Sequence, residues 1–435
     1  MAEERIEFTK EMKGTYKILL PNMLPIHIGL LSKVFNHHGY NTELLKNKGH
    51  NVVECGLKYV HNDTCYPALL VIGQFIDALQ SGKYDVHKVA LMITQTGGGC
   101  RASNYIHLLR KALEKAGFGF VPVISLNFSG MEKNSGFKLT LPLIVKALAC
   151  VAYGDLLMTL DNQTKPYEVT KGESAVLLKS WTERIANELS KGKGVSLSAI
   201  KKNMRKMARD FDNIKINKVP RVKVGIVGEI YVKYSSLANN DLEQFLYEQG
   251  CEVMVPGLLG FLYYCVENGI QDINLYGGSS LKKKITEKVL DFALKYEKCI
   301  NEAQSKTKNF VGYANYKTAR ELSHEVIGIG CKMGEGWLLP AEMLELIHNG
   351  FENIICAQPF GCLPNHIAGK GMIRKIREKY PNANIVPIDY DPGATKVNQE
   401  NRIKLMLAIA AEQMEEENFA QPSVATPEEK VLINS

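Results

Sequence analysis

The sequence predicts an α/β protein of two similar domains, each a parallel sheet covered by helices, related by a pseudo-two-fold and joined by a helical connector. Three observations predict it. Short apolar runs alternate with helix-period segments in both halves of the 435-residue chain, the pattern of parallel sheets with crossover helices. The plan repeats: Cys100 followed by VPVI at Val121 is matched by Cys362 followed by VPI at Val386, and Pro67 ahead of one helix is matched by Pro340 ahead of another. Between the repeats, residues 172–213 are polar with helical periodicity, which reads as a connector rather than a core. The domains are accordingly set at 1–160 and 217–415, with the connector at 161–216. A disordered tail is expected at 416–435, which mixes Pro, Ser, Thr and Glu without periodicity.

Each element follows from its local pattern. In the first half a strand at 17–21 (KILLP) precedes an amphipathic stretch at 27–36 and a strand at 42–45. A helix at 67–79 leads to the strand 89–94. Leu108, Leu109, Ala112 and Leu113 form the apolar stripe of a helix at 103–116, and a strand at 121–126 closes the unit. In the second half, strands are predicted at 222–227, 252–255, 353–355 and 385–388, with helices at 241–248, 341–348 and 369–379.

Composition narrows the class. Apolar residues at 45% and charged residues at 23% are those of an ordinary soluble globular protein. The net charge of +7 is modest and spread out, so no nucleic-acid partner is expected. One denser cluster, Lys201, Lys202, Arg205, Lys206 and Arg209, reads as a solvated helix face or as a docking surface for an acidic partner. The charged N-terminus, MAEERIEFTKEMKG, lacks the apolar stretch of a signal peptide. No apolar run is read as reaching the ~18 residues that span a bilayer; the longest, at 253–266, is broken by Pro256, Gly257 and Gly260. The expectation is a cytoplasmic protein without a membrane partner. Its ten cysteines are then metal ligands or core residues rather than disulfides.

Four of them, Cys150, Cys251, Cys265 and Cys299, sit among apolar or helical neighbours and read as small buried hydrophobes. The other six do not. Cys55 and Cys65 bracket GLKYVHNDT, Cys100 follows TQTGGG, Cys331 lies within IGIGCKMGEGW, and Cys356 and Cys362 bracket AQPFG. Glycine beside a ligand, here Gly99, Gly330 and Gly361, lets the backbone approach inorganic sulfides and donate N–H bonds to them. These six cysteines, three in each half, point to an iron–sulfur protein. Three thiolates leave a [4Fe–4S] cubane one ligand short of the Cys₄ complement, so one iron is open to a substrate, water or a bridging sulfide. No CxxCxxC run and no CxxC knuckle pair is present, so spacing alone is weak evidence for a cluster, and zinc remains a competing reading. TGGG could instead cradle a phosphate at a helix N-terminus, although the GK[ST] ending of a P-loop is missing. GGSS at Gly277–Ser280 reads as a helix cap. His61, Asp63, His107 and His366 lie near the proposed ligands as hydrogen-bonding neighbours. Of these, His61 and His366 are the candidates for proton delivery, with Glu335 a third.

Four segments carry a resemblance: KYVHNDTCYPALLVIGQ, ITQTGGGCRASNY, VGIVGEIYVKYS and QPFGCLPNHIAGKGMI. They resemble the 2-hydroxyacyl-CoA dehydratase superfamily, and within it most the double-cubane cluster proteins. They are similar too to the closing portion of large fusions described as CoA-substrate-specific enzyme activases. The resemblance spans about Phe8 to Met414. It implies two Rossmann-like or flavodoxin-like domains with iron–sulfur cubanes at their interface. It also implies a homodimer, a small-molecule substrate, and electrons delivered by a separate ATP-dependent activase that carries its own [4Fe–4S] cluster. In the double-cubane members two [4Fe–4S] units share a sulfide, giving [8Fe–9S], which would use all six cysteines, three from each half. The dehydratase subunits proper hold one three-cysteine cubane. The complete set of six cysteines favours the double-cubane reading, an iron–sulfur reductase component, over the dehydratase subunit; a non-catalytic electron carrier or cluster scaffold is the third reading. The chain shows no activase domain of its own, so ATP hydrolysis is expected from another protein.

Overall fold

A computed structural model describes residues 5–61, 63–96, 98–127, 132–312 and 315–420. The first sheet contains β1 (Lys17–Leu20), β2 (Asn41–Leu44), β3 (Val89–Thr94) and β4 (Val123–Leu126), all parallel, in the order β2-β1-β3-β4. Helix α1 (Pro25–His37) links β1 to β2. Helices α2 (His50–Tyr59) and α3 (Tyr66–Gln80) link β2 to β3, and α4 (Tyr105–Lys115) links β3 to β4. Three long helices follow: α5 (Leu141–Thr164), α6 (Glu173–Ser190) and α7 (Leu197–Asp212).

The second sheet repeats the first. Strands β5 (Lys223–Gly228), β6 (Glu252–Met254), β7 (Asn353–Pro359) and β8 (Asn384–Tyr390) are parallel in the order β6-β5-β7-β8. Helices α8 (Ile230–Tyr234) and α9 (Leu242–Glu248) join β5 to β6. The β6–β7 connection is long and holds α10 (Leu258–Tyr276), α11 (Ser280–Gln304), α12 (Tyr316–Ser323) and α13 (Leu338–His348). Helix α14 (Ile373–Lys379) joins β7 to β8, and α15 (Lys396–Ala420) follows. The strand order 2-1-3-4 therefore occurs twice, as the repeated sequence pattern predicts.

Both faces of the sheets are buried, which is why their strands read as apolar runs rather than alternations. In β3, Val89, Leu91 and Ile93 enter one core and Ala90 and Met92 another. The first of these cores is continuous across the halves: it also holds Val224, Ile226, Ile355 and Ala357 from the second sheet. The two sheets therefore share one apolar interior, and the loops at their ends are held in a fixed relation.

Several expectations change. The connector segment forms α6 and α7 as expected, but Trp181, Ile185, Leu189, Met204, Met207 and Phe211 bury one face of the pair in a core shared with α1 and α5. The basic cluster on α7 is partly engaged within the chain: Lys201 and Arg205 both pair with Glu302 of α11. Helix α5 is long and apolar enough to cross a membrane, contrary to the sequence reading of apolar runs. It is mostly buried within the fold, where it packs against α1, α6 and α7. Helix α15 runs to Ala420, past the expected start of the tail at 416; residues 421–435 lie outside the described residues. Ser279 caps α11 by accepting the Lys282 N–H at 3.3 Å, as GGSS suggests.

Helices α2 and α3 cross closely, and glycine permits it. A Cβ on Gly73 would run into the Val52 carbonyl oxygen and lie 2.8 Å from the Gly56 nitrogen. Alanine is favoured over glycine in a helix by about 1 kcal/mol. Overpacking against backbone, which has no rotamer to change, costs ~1–3 kcal/mol. Gly73→Ala should therefore lower the chemical denaturation midpoint. A midpoint at or above the wild-type value would show that the two helices part freely.

Candidate metal centre

In each sheet the first strand has the second on one side and the third on the other. The carboxyl ends of β1 and β3, and of β5 and β7, therefore flank a switch point, where open parallel sheets hold their ligands. The loop after β3 carries Cys100 and the loop after β7 carries Cys362.

The structure brings these loops together across the two halves. Cys65 ends the loop before α3, and the next residue, Tyr66, donates its N–H to the Phe360 carbonyl at 3.0 Å. Gly361 sits against Cys65: a Cβ there would lie 3.1 Å from the Cys65 Cα, and the glycine has φ +71°. Any larger residue at 361 would push the Cys65 and Cys362 loops apart. Gly99 lies against the sulfur of the exposed Met333 side chain, so the loop before α13 also reaches the β3 crest. Gly334, at φ +58°, would place a Cβ 2.7 Å from Pro364 Cγ. Four loops, two from each half, thus close on one another.

Electrostatics define which side chains share this space. Burial raises the Cys362 thiol far above its ordinary range, with further contributions from Glu335, Glu229 and Cys100. Burial pushes Cys100 up to about 11, assisted by Glu335, Glu229 and Cys65. The Cys65 thiol is likewise raised by burial, against the Tyr105 hydroxyl 2.8 Å from its sulfur. Cys100 is therefore an electrostatic neighbour of both Cys65 and Cys362, with Glu229 and Glu335 beside them. Neither carboxyl is exposed. Burial and then the Glu335 carboxyl raise Glu229, which accepts the Val232 N–H at 2.9 Å. Burial raises Glu335 as well, although it accepts the Ile230 N–H at 2.9 Å.

The other three candidate cysteines differ, although Cys331 shares the loop before α13 that reaches the β3 crest. Cys55 lies within helix α2, not in a turn, and its charged neighbours are Asp77, Lys58 and Glu54. Cys356 lies in mid-strand rather than at a crest because β7 runs on to Pro359. Its sulfur is 3.6 Å from Asn365 Oδ1, in the core beneath α13 and α14. Cys331 is partly exposed, beside Tyr264. Its carbonyl accepts the Trp337 N–H at 2.7 Å, closing the loop that positions Glu335.

The remaining predicted residues divide similarly. His366 donates through Nδ1 to the Cys362 carbonyl at 2.8 Å and has an exposed ring. His61 is exposed and pairs with Asp63 at 3.4 Å, and His107 is exposed on α4. Gly330 is exposed with nothing crowding it closer than a Leu275 methyl at 3.8 Å, so it makes no close approach of the kind seen at Gly99 and Gly361. Cys150, Cys251 and Cys299 are buried as expected, whereas Cys265 is exposed on α10.

Sequence reasoning missed Glu229, Tyr105 and Tyr231. Glu229 directly follows the apolar strand VKVGIVG, so a carboxylate at a strand crest was the available signal. Tyr231, two residues on, is buried, with Ser235 beside its hydroxyl, and lies near both Glu229 and Tyr66.

Among the described residues, no three of His, Cys, Asp and Glu stand close enough to hold a single metal ion. A cubane asks for something different, since each thiolate binds its own iron and the sulfurs stand farther apart. Three soft donors fit such a group. Buried thiols with raised pKa values would become thiolates once a cationic centre replaced the missing solvation. The glycine approaches at Gly99 and Gly361 fit it too. No family model matches this chain, and a search of the curated proteins finds no match either.

Proposed function

We propose that this chain is the iron–sulfur component of a cytoplasmic reductive enzyme, with one [4Fe–4S] cubane held by Cys65, Cys100 and Cys362. It would take low-potential electrons from a separate ATP-hydrolysing activase and pass them to a small substrate. One observation carries the reading: three cysteines from distant parts of the chain, two in the first half and one in the second, converge at the switch points beside two buried carboxyls.

When bound, a three-cysteine cubane supplies one-electron transfer and an iron free of protein thiolate. The chain's own residues do the rest. The three thiols orient the group, and the closing loops keep water from a strongly reducing centre. Glu335 and Glu229 are positioned to hold a proton beside it. His366, bonded through Nδ1 to the Cys362 carbonyl, offers Nε2 to solvent as a relay. His61 lies farther out, against Asp63.

The sequence favours the double cubane, but the placement of the cysteines gives the single cubane of the dehydratase-subunit type the better support. An [8Fe–9S] double cubane would need Cys55, Cys331 and Cys356 to join, and Cys356 is held in the core against Asn365. Protein purified anaerobically should contain about four irons and four sulfides per chain. About eight irons would restore the double cubane, and none would overturn the proposal.

A further inference from the structure

A second site lies at the amino edge of the first sheet, away from the cysteines. His38 and Tyr40 lead from α1 into β2, and with Lys10, Lys13, Lys138 and Thr140 they line an open-sided cavity of about 300 Å³. No carboxylate is among its lining residues. Lys10, Lys13 and Lys138 are exposed, so their ammonium groups reach a ligand there without any rearrangement of the fold. They come from two segments, one ahead of β1 and one ahead of α5, whose contact is fixed by backbone. The Gly136 N–H is donated to the Phe8 carbonyl at 2.9 Å, and a Cβ on Gly136 would run into the Thr9 carbonyl.

The positive charge here is not balanced within the cavity. A fourth ammonium, Lys146 of α5, donates to His38 Nε2 at 3.0 Å, and Lys13 lies over the Tyr40 ring at 4.5 Å. An ammonium only donates, so His38 Nε2 accepts and the imidazole is uncharged. Burial, and then Lys146, His37 and Lys13, hold the imidazole below its ordinary range in the same sense. Two nearby carboxyls are engaged elsewhere. Glu7 accepts the Ser135 N–H at 2.6 Å, and Glu11 is lowered chiefly by the Thr9 hydroxyl, with Lys10 contributing least. Thr140 gives α5 no side-chain cap, and Leu143 of its first turn is part of the cavity wall. The positive end of a 24-residue helix therefore adds to the field of the lysines.

We propose that this cavity binds a diphosphate group, inorganic or carried by a nucleotide, between Lys10, Lys13 and Lys138 and the first turn of α5. Phosphate oxygens are acceptors, and ammonium and backbone N–H groups are the donors that suit them. Several ammonium groups with no carboxylate in the wall call for a ligand with more than one negative charge. The volume, at the lower end of small-ligand pockets, admits such a group with little beside it. No residue of the candidate metal centre takes part, so the two sites stand or fall separately.

The test is calorimetric titration of anaerobically purified, full-length protein with sodium pyrophosphate, with ADP and with sodium sulfate at matched ionic strength. Pyrophosphate or ADP should bind at least about ten-fold more tightly than sulfate, and the tighter of the two identifies the source of the diphosphate. Lys13→Gln and Lys138→Gln, both at exposed positions that tolerate substitution, should each weaken that binding about ten-fold, the loss of one charge-assisted hydrogen bond. Lys284→Gln, at an exposed lysine of α11, should leave it unchanged. Sulfate binding as tightly as either diphosphate, no diphosphate binding, an equal loss in Lys284→Gln, or wild-type affinity in the Lys13 and Lys138 variants would overturn the proposal. Chelation of cluster iron by pyrophosphate would give that last result, because neither lysine belongs to the metal centre.

Discussion

Replacing Cys362 with Ala should strip the bound iron and the visible absorption from anaerobically purified protein, whereas replacing Cys356, six residues earlier in the chain, should leave both intact. The two cysteines bracket one short segment, but the structure gives them different surroundings. Cys362 lies past the end of β7, beside Gly361 and Cys65, among the carboxyls of Glu229 and Glu335. Cys356 is in the strand, fully buried, with its sulfur toward Asn365. Removing one of three protein thiolates leaves a cubane with two, and iron content should fall from about four per chain to well below one. Cys65→Ala and Cys100→Ala should behave like Cys362→Ala. Cys55→Ala, Cys331→Ala, Cys150→Ala and Cys299→Ala should behave like Cys356→Ala. The pattern discriminates among the readings. If Cys55, Cys331 and Cys356 variants each lose about half of a larger iron content, the chain carries a double cubane. Full iron in the Cys362 variant would remove the assignment altogether. A small loss of stability in Cys356→Ala is compatible with the proposal, because deleting a buried sulfur leaves a small void without touching the site.

The repeated fold was legible because its signals are local. Apolar runs such as VALMIT and VKVGIV, with helical stripes between them, mark strands buried on both faces. The long helices α5 and α10 were missed because burial on several sides, or an apolar face continuing around the helix, blurs the 3.6-residue period; α5 is apolar over most of its length. At the site, the Gly-Cys crests were readable from glycine preceding cysteine after a strand. Which cysteines meet was not readable. The sequence divides six cysteines into three per half by position alone, whereas the Tyr66–Phe360 backbone bond places Cys65 of one half with Cys362 of the other. Contacts between residues nearly three hundred positions apart leave no periodic trace in a single sequence. The end of β7 mattered equally: reading the strand to Ile355 puts Cys356 on a loop, and four more residues of pairing with β8 put it in the core.

The largest loss of stability from a single substitution is expected at Lys233. Its ammonium donates to both oxygens of Glu342 at 2.8 and 3.0 Å, and the side chains are 3% and 5% exposed. Lys233→Met would leave the Glu342 carboxylate buried without its partner, and breaking such a pair costs ~3–5 kcal/mol. The cost should depend on pH. Burial already raises Glu342, and Lys233 is what opposes it, so without the lysine its folded-state pKa rises further above the unfolded value. A carboxyl of that kind costs nothing below its unfolded pKa, and the penalty grows as pH rises through the folded pKa. Urea midpoints should therefore show a smaller deficit at pH 5 than at pH 8. The double variant Lys233→Met/Glu342→Leu should recover most of the loss, because well-packed apolar replacements of a buried pair are often neutral or stabilising. A double variant as unstable as the two single losses combined would show no coupling between the two side chains and overturn this reading of the pair. The pair also bears on the candidate centre. It ties α8, which begins just after Glu229, to α13, which begins just after Glu335. The two carboxyls beside the cysteines thus take their spacing from an ion pair one helical turn behind them. Lys233→Met should lower iron loading in proportion to how far that spacing relaxes, and the double variant, which restores packing without charge, should regain it.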